Sequence, residues 1–293
     1  LMHVNAASTA TLSNHFSQKI AGDYHTYCLT IANSKRVSIE NGFVRAMSDV
    51  EAGGTLLSLQ RTELITVKAA LSAGTWGEAM ATVDGIDEDA ILMLFLVHER
   101  SKHERLSTGT DAGSDGSRWS AFFAKLDLLM QTGAATFYPP CSWSSAYPNP
   151  HMVLAHTEAG EIAMQAVLAL EDLHSALFPA LSDALPQHFP SETYSLEAFR
   201  WAAGVLATYS VQLQAPSAPS RNALGSMDAD TGDAAFGETT AIVPLVEAAP
   251  RHKTEATCFH DYDAEADTYV LKTLLPLRCG DEVSVCRGRG GNV

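Results

Sequence analysis

Ile242-Val243-Pro244-Leu245, the hairpin around Tyr262 and Tyr269, Gly280-Asp281-Glu282-Val283 and Gly288-Arg289-Gly290-Gly291-Asn292 form the C-terminal part of this chain. Four strand-like runs are legible there: Thr240 to Leu245, Ala256 to Tyr262, Thr268 to Thr273 and Glu282 to Cys286. Asp263 to Asp267 reads as the turn between the second and third. The fold depends on where these strands find their partners, because short strands do not make a stable sheet alone.

The partners lie near the start. Arg36-Val37-Ser38-Ile39 alternates, and Asn41-Gly42 is a hairpin-type dipeptide. Phe43-Val44-Arg45-Ala46, Gly53-Gly54 and Thr55 to Leu59 follow. This reads as three short strands joined by tight turns.

Between the two strand regions, from Thr66 to about Leu213, the period is helical. Asp87-Glu88-Asp89 places acid at the start of a helix through Ala90 to Val97, where it suits the helix dipole. That helix is apolar all round, which predicts a central position. Trp119, Phe122, Phe123 and Leu126 sit at helical spacing. Ile162, Ala166, Leu170, Leu173 and Leu177 are assigned to one face of a long helix, which Pro179, Pro186 and Pro190 should break up. A last helix carries Ala202, Val205, Leu206, Tyr209 and Leu213 on one face.

The resulting organisation is a lead-in (1–35), N-terminal strands (36–62), a helical insertion (63–213), a loop rich in Ala, Ser, Pro, Gly and Asp expected to be mobile (214–239), and C-terminal strands (240–293). Strands, a helical block, then strands again is an α+β architecture: a split β fold interrupted by a large helical insertion. It lacks the strand–helix alternation of a dinucleotide fold and has no phosphate-loop motif.

With 293 residues, 46% hydrophobic and 18% charged, the chain can bury a large core. Its formal net charge of −15, from 34 acidic and 19 basic residues, argues against nucleic-acid binding, which needs cations against phosphate. No apolar run reaches bilayer-spanning length, and no signal-peptide pattern opens the chain, so no membrane partner is expected. Cys28, Cys141, Cys258, Cys279 and Cys286 are odd in number and contain no Cys-x-x-Cys pair. Reduced thiols in an intracellular protein and no metal site are the expectation, with cytoplasm, nucleus or an organelle as the compartment.

The ordered landmarks resemble one family, the SET-domain protein methyltransferases, in the branch with an inserted helical subdomain that includes the Rubisco large-subunit methyltransferase. Ala46 to Gly53 looks like the family's opening strand, turn and Gly. Leu92 to Glu99 looks like its Leu-rich helix ending in Glu. Ser117 to Leu126 is similar to its Ser-x-Trp-x-x-Tyr-x-x-x-Leu segment, and Phe199-Arg200-Trp201-Ala202 to its Phe-x-Trp-Ala helix. Val243-Pro244-Leu245 and Gly280-Asp281-Glu282-Val283 resemble its Val-Pro-Leu strand and Gly-Glu-Glu-Ile. The resemblance implies S-adenosyl-L-methionine as cofactor and methylation of a protein side chain, lysine before histidine. Such a site aligns a neutral amine with a methyl sulfonium and excludes water.

Several positions depart from the family. Asn41-Gly42-Phe43 stands where the cofactor loop is Gly-x-Gly, and its local reading is a hairpin turn. Thr208-Tyr209 replaces Ser-Arg. Glu247 matches the acid after Val-Pro-Leu, but Pro250-Arg251 stands at Asn-His; His252 either takes the His place with a one-residue shift or is a loop residue. At the last motif Gly288 and Asn292 match, while Arg287 occupies the usual Tyr position, so the catalytic residue is unassigned. An Arg beside a sulfonium would set two cations together, so either Arg287 points outward or the site no longer binds the cofactor in the usual way. Tyr262 and Tyr269 read as packing residues of a hairpin.

The resemblance thus implies Asn41, Gly42, Phe43, Glu247, His252 and Gly288 at the cofactor. Two readings stand side by side. One is a divergent protein-lysine N-methyltransferase. The other is a catalytically inactive SET-fold protein-interaction module, a pseudoenzyme, which the departures favour. The chain starts at Leu1 and stops at Val293, short of the helical domain with which the family continues; either part of the substrate surface is gone or the chain is C-terminally incomplete.

Overall fold

The computed structural model describes residues 26–27, 36–40, 43–108, 116–131, 154, 156–216, 236–246, 249, 251–252, 255–263 and 265–286. The chain divides into two compact units. One takes its described residues from Leu1–Thr66, Ala121–Leu128 and Val211–Val293, the other from Val67–Ser120 and Leu129–Ser210.

In the first unit, β1 (Val37–Glu40) and β2 (Phe43–Ala46) pair antiparallel from Val37↔Ala46 to Glu40↔Phe43. Burial alternates along β2: Val44 and Ala46 point inward, while Phe43 is exposed. β3 (Thr55–Gln60) begins a five-stranded sheet of order β3-β9-β8-β10-β7. Its other members are β7 (Arg251–His252), β8 (Cys258–Asp263), β9 (Thr268–Thr273) and β10 (Val285–Cys286). A second, three-stranded sheet has the order β4-β6-β5, from β4 (Ile65–Thr66), β5 (Ser210–Pro216) and β6 (Phe236–Ile242).

The β8–β9 hairpin stands where the sequence puts it, with Tyr262 opposite Tyr269 and Asp263 opposite Thr268. Asp263 makes the turn: its Oδ1 accepts from the amides of Glu265 and Ala266, the local side-chain bond that fits Asp to such positions. Asp267 closes the turn at φ 50°, a left-handed conformation that Asp tolerates better than most residues. Leu57 opposite Leu271 and Leu59 opposite Tyr269 continue one buried face across β3 and β9. Each fully buried Leu contributes about 1.5–3 kcal/mol.

The two distant strand regions do meet. β3 pairs with β9, Val50 bridges Leu277, and Arg45 bridges Glu282. The Gly53 amide donates to the Thr273 carbonyl at 2.8 Å, and the Ala46 amide to the Asp281 carbonyl at 2.9 Å. Gly54 sits against this seam; a Cβ there would lie 2.7 Å from Val50 Cγ1 and 2.8 Å from the Glu51 carbonyl oxygen, so no larger residue fits. The fold is α+β, split as the strand spacing requires.

The second unit is helical, with α1 (Val67–Leu71), α2 (Gly74–Ala81), α3 (Glu88–Thr108), α5 (Glu158–Ala184) and α6 (Leu196–Tyr209). Between α3 and α5 runs α4 (Ser120–Gln131), whose residues Ala121–Leu128 belong to the first unit. Asp87 caps α3, its Oδ1 accepting from the Ala90 amide at 2.7 Å. Thr157 and Ser195 cap α5 and α6 through their hydroxyls. Ala90 to Val97 is buried at every residue, as an all-apolar helix requires. Trp76 lies within ring contact of Phe95, His98 and Phe189, and donates its indole N–H to the Tyr194 hydroxyl at 2.9 Å.

Four expectations are corrected. The buried stripe of α5 is Ala163, Val167, Leu170 and Leu181, while Ile162 is 61% exposed. The helix is apolar on most faces, so periodicity alone supports more than one inward face. Pro179 lies inside α5 and does not end it. Proline removes one backbone donor, and at an exposed place near the helix end water can satisfy the carbonyl left free. Leu213 is not on the α6 face: Ser210 leaves the helix with extended backbone and begins β5. Strand also occupies both margins of the segment expected as a loop, to Pro216 and from Phe236; residues 217–235 are outside the described residues.

Candidate functional site

Residues 281–286 form the thread of the candidate site. The Val283 amide donates to the Val44 carbonyl at 2.9 Å, which ties the thread to β2. Two residues later it becomes β10 and enters the sheet between β7 and β8, parallel to both. Val285 stands opposite Arg251 on one side and Cys258 on the other; Cys286 stands opposite His252. Val283, Ser284 and Val285 are buried. Parallel neighbours cannot be joined by a hairpin, so this insertion requires chain to pass around the strand.

Two hydroxyls brace the insertion. The Ser284 amide donates to Thr257 Oγ1 at 2.9 Å, and the Thr257 amide donates to Ser284 Oγ at 3.1 Å. The Ser284 carbonyl accepts from the amides of Cys258 at 2.9 Å and Thr257 at 3.2 Å. Sequence reading passed over both residues. The signal was a single hydroxyl beside each apolar run, which carries no meaning until the two runs are known to be neighbours.

Among the residues expected at the cofactor, Phe43 heads β2 with its side chain exposed, and His252 lies in β7. The thread connects them, since it bonds to Val44 and then pairs with His252. Asn41, Gly42, Glu247, Arg287 and Gly288 are outside the described residues. Thr208 and Tyr209 close α6 in the helical unit, both half-buried.

The hairpin tyrosines are engaged. Tyr269 is fully buried, and its hydroxyl lies 2.6 Å from His260 Nδ1. The Tyr262 hydroxyl donates to Asp267, whose carboxylate also lies 3.5 Å from the buried Arg61 guanidinium. Burial, then the bond to Asp267, pushes the Tyr262 phenol up to about 12, so it stays protonated at neutral pH. Cys258, on the same strand, is buried, and burial pushes its thiol up to about 11. A thiol held protonated is a poor nucleophile. Among the described residues, no group of three or more His, Cys, Asp or Glu is arranged to hold a metal ion. No described helix is long and apolar enough to cross a membrane.

No protein-family model matches the sequence, and no curated protein matches it. Solved structures do. The SET domain of LSMT bound to lysine and AdoHcy aligns at a TM-score of 0.58 and 15% identity, covering 92% of this chain and 54% of that one. The fold is SET-like. The SET domain of LSMT bound to methyllysine and AdoHcy aligns at 0.60 and 15% identity, covering 92% and 53%. Rubisco LSMT bound to AdoMet aligns at 0.58 and 16% identity, covering 91% and 52%. This chain spans about half the length of the structures it matches. The SET-like fold gives the β7–β10–β8 arrangement its context, since the likeness extends over both strand regions and the helices between them.

Proposed function

We propose that this chain is a SET-type protein-lysine N-methyltransferase module that binds S-adenosylmethionine, in the branch with an inserted helical subdomain, with degenerate cofactor and catalytic motifs. The observation that carries the reading is the parallel ladder of β10 and β7, which sets His252 opposite Cys286 beside the last motif. The solved neighbours support it, because they hold AdoMet or AdoHcy and, in two cases, lysine or methyllysine.

The residues fit an adenosyl group. β7 ends the five-stranded sheet, with no further described strand beyond it. Its outward backbone groups offer the alternating donor and acceptor that an adenine edge matches. Phe43 presents an exposed ring at the other end of the thread, a face on which a flat base can stack. Asn41, Gly42, Glu247 and Gly288 are assigned to the cofactor by the family resemblance alone and lie outside the described residues.

S-adenosylmethionine, when bound, supplies an electrophilic methyl group on a sulfonium. The chain's part is to hold the ligand against β7 and the β2 end and to keep water out. A substrate lysine must arrive neutral, which apolar surroundings favour. Arg287 offers no phenol to orient that amine, so transfer is expected to be slow compared with a site that has one.

Incubation with methyl-labelled S-adenosylmethionine and basic protein extracts tests the reading. Label on a lysine side chain supports it; absence of transfer with the cofactor bound rejects the enzyme. A specific observation favours that second outcome. Phe43 and Tyr209 replace a glycine and an arginine of the family pattern, and both are well-formed parts of their elements. The alternative is therefore a SET-fold protein-interaction module without transfer activity.

A further inference from the structure

We infer that Thr257 and Ser284 form a register lock that positions β7 and β10 for the adenosyl ligand. The inference rests on the reading of β7 as a ligand-holding edge. Neither residue is assigned a contact with the ligand; they are positioning residues.

The need for a lock follows from the pairing of β10. Its described residues are Val285 and Cys286, and both of its neighbours are parallel. Parallel pairing is the weaker kind, and two pairs do not define a register by themselves. A slip of one residue would exchange the faces of Val285 and Cys286 and put Val285 opposite His252. Cys286, which opens the last motif, would then lose its place opposite His252.

The hydroxyl pair forbids that slip. Ser284 Oγ also donates to the Glu255 carbonyl at 3.3 Å, and the Thr257 carbonyl accepts from the Leu274 amide at 2.7 Å. Thr257 is thereby fixed to the end of β9, and Ser284 is fixed to Thr257 by bonds in both directions. Ser284 is buried, so its amide has no water to turn to when Thr257 Oγ1 is removed. Any shift of the thread breaks the whole set at once. The register of Cys286 against His252 is thus decided by atoms one strand away.

The experiment combines amide hydrogen exchange in the ligand-free chain with titration of S-adenosylhomocysteine. Thr257→Val keeps the shape and removes the oxygen. It is expected to speed exchange at Ser284, Val285 and Cys286 by about tenfold, with Val270 and Leu271 on β9 unchanged, and to weaken S-adenosylhomocysteine by about tenfold. Thr257→Ser should restore both. Unchanged exchange at these three amides, or equal acceleration on β9, would overturn the lock. Faster exchange with undiminished affinity would overturn the positioning role. If the parent chain binds no S-adenosylhomocysteine but exchange responds as expected, the lock stands and the cofactor reading falls. Should Thr257→Val not fold, Ser284→Ala removes only the bonds through Ser284 Oγ and keeps those between backbone groups, and its smaller acceleration at Val285 and Cys286 decides the same question.

Discussion

Cys286 stands opposite His252 in a parallel ladder, although 33 positions separate them in the chain, from 253 through 285. That relationship assembles the candidate site. His252 reaches β7 with a neighbour supplied by the thread, and the thread has just left β2, where Phe43 is exposed. The thread links three sequence regions that are individually weak as motifs: it bonds to β2 and pairs with β7.

Arg287 follows Cys286 directly and stands where the family pattern has a tyrosine. Replacing it should restore the phenol of the family pattern. Arg287→Tyr is expected to raise methyl transfer at least about tenfold over the parent, measured with labelled cofactor, if positioned general acid–base groups contribute their usual factors. A parent already as fast as the variant would show that Arg287 is no obstacle.

The helical unit has its own test. Tyr194 accepts the Trp76 indole N–H at 2.9 Å inside an aromatic cluster with Phe189. Burial holds the Tyr194 phenol well above its ordinary range, so the hydroxyl stays neutral. Tyr194→Phe leaves the Trp76 donor without this acceptor and is expected to cost about 1–3 kcal/mol in urea unfolding. Equal stability of the two proteins would mean that the indole finds another acceptor.

His98 stacks on Trp76 at 5.0 Å, and burial, with Lys102 and Arg105 adding to it, lowers its imidazole to about 3. The unfolded chain takes up that proton near 6.5, whereas the folded chain resists it. Stability from His98 is therefore full above pH 6.5 and is lost as pH falls towards 3. The slope approaches about 1.4 kcal/mol per pH unit. Between pH 6 and 5, His98→Phe should flatten the pH dependence of unfolding; an unchanged slope would place the proton uptake elsewhere.

Cys258 is buried with its thiol raised to about 11, whereas Cys279 is exposed. Alkylation at pH 8, read peptide by peptide, should modify Cys279 long before Cys258. Comparable rates would mean that β8 opens far more often than its place inside the sheet allows.

The sheet was legible where strands alternate and turns carry their own chemistry. β9 has the bounds expected from Thr268 to Thr273, and the Asp263 turn lies where the acidic run predicts. The capped start of α3 was equally clear at Asp87. The stripe of α5 was not: Ala163, Val167 and Leu181 are buried beside the expected Leu170, because burial there is decided by what packs against the helix. The pairing of β10 with β7 was not legible in the sequence. Phe43 and His252 could be singled out one at a time, while the parallel insertion of β10 depends on pairing across many residues. Thr257 and Ser284 stayed hidden for the same reason.

The most direct measurement is a titration of S-adenosylhomocysteine into the whole chain, followed by calorimetry and by thermal unfolding. A ligand that binds the folded chain alone must raise its stability, by about 2.7 kcal/mol at a hundred times the dissociation constant. The account predicts saturable one-to-one binding and a concentration-dependent rise in melting temperature, both weakened by Thr257→Val. No heat and no shift at millimolar ligand would contradict it, and the SET-like fold would then serve something other than a methyl donor.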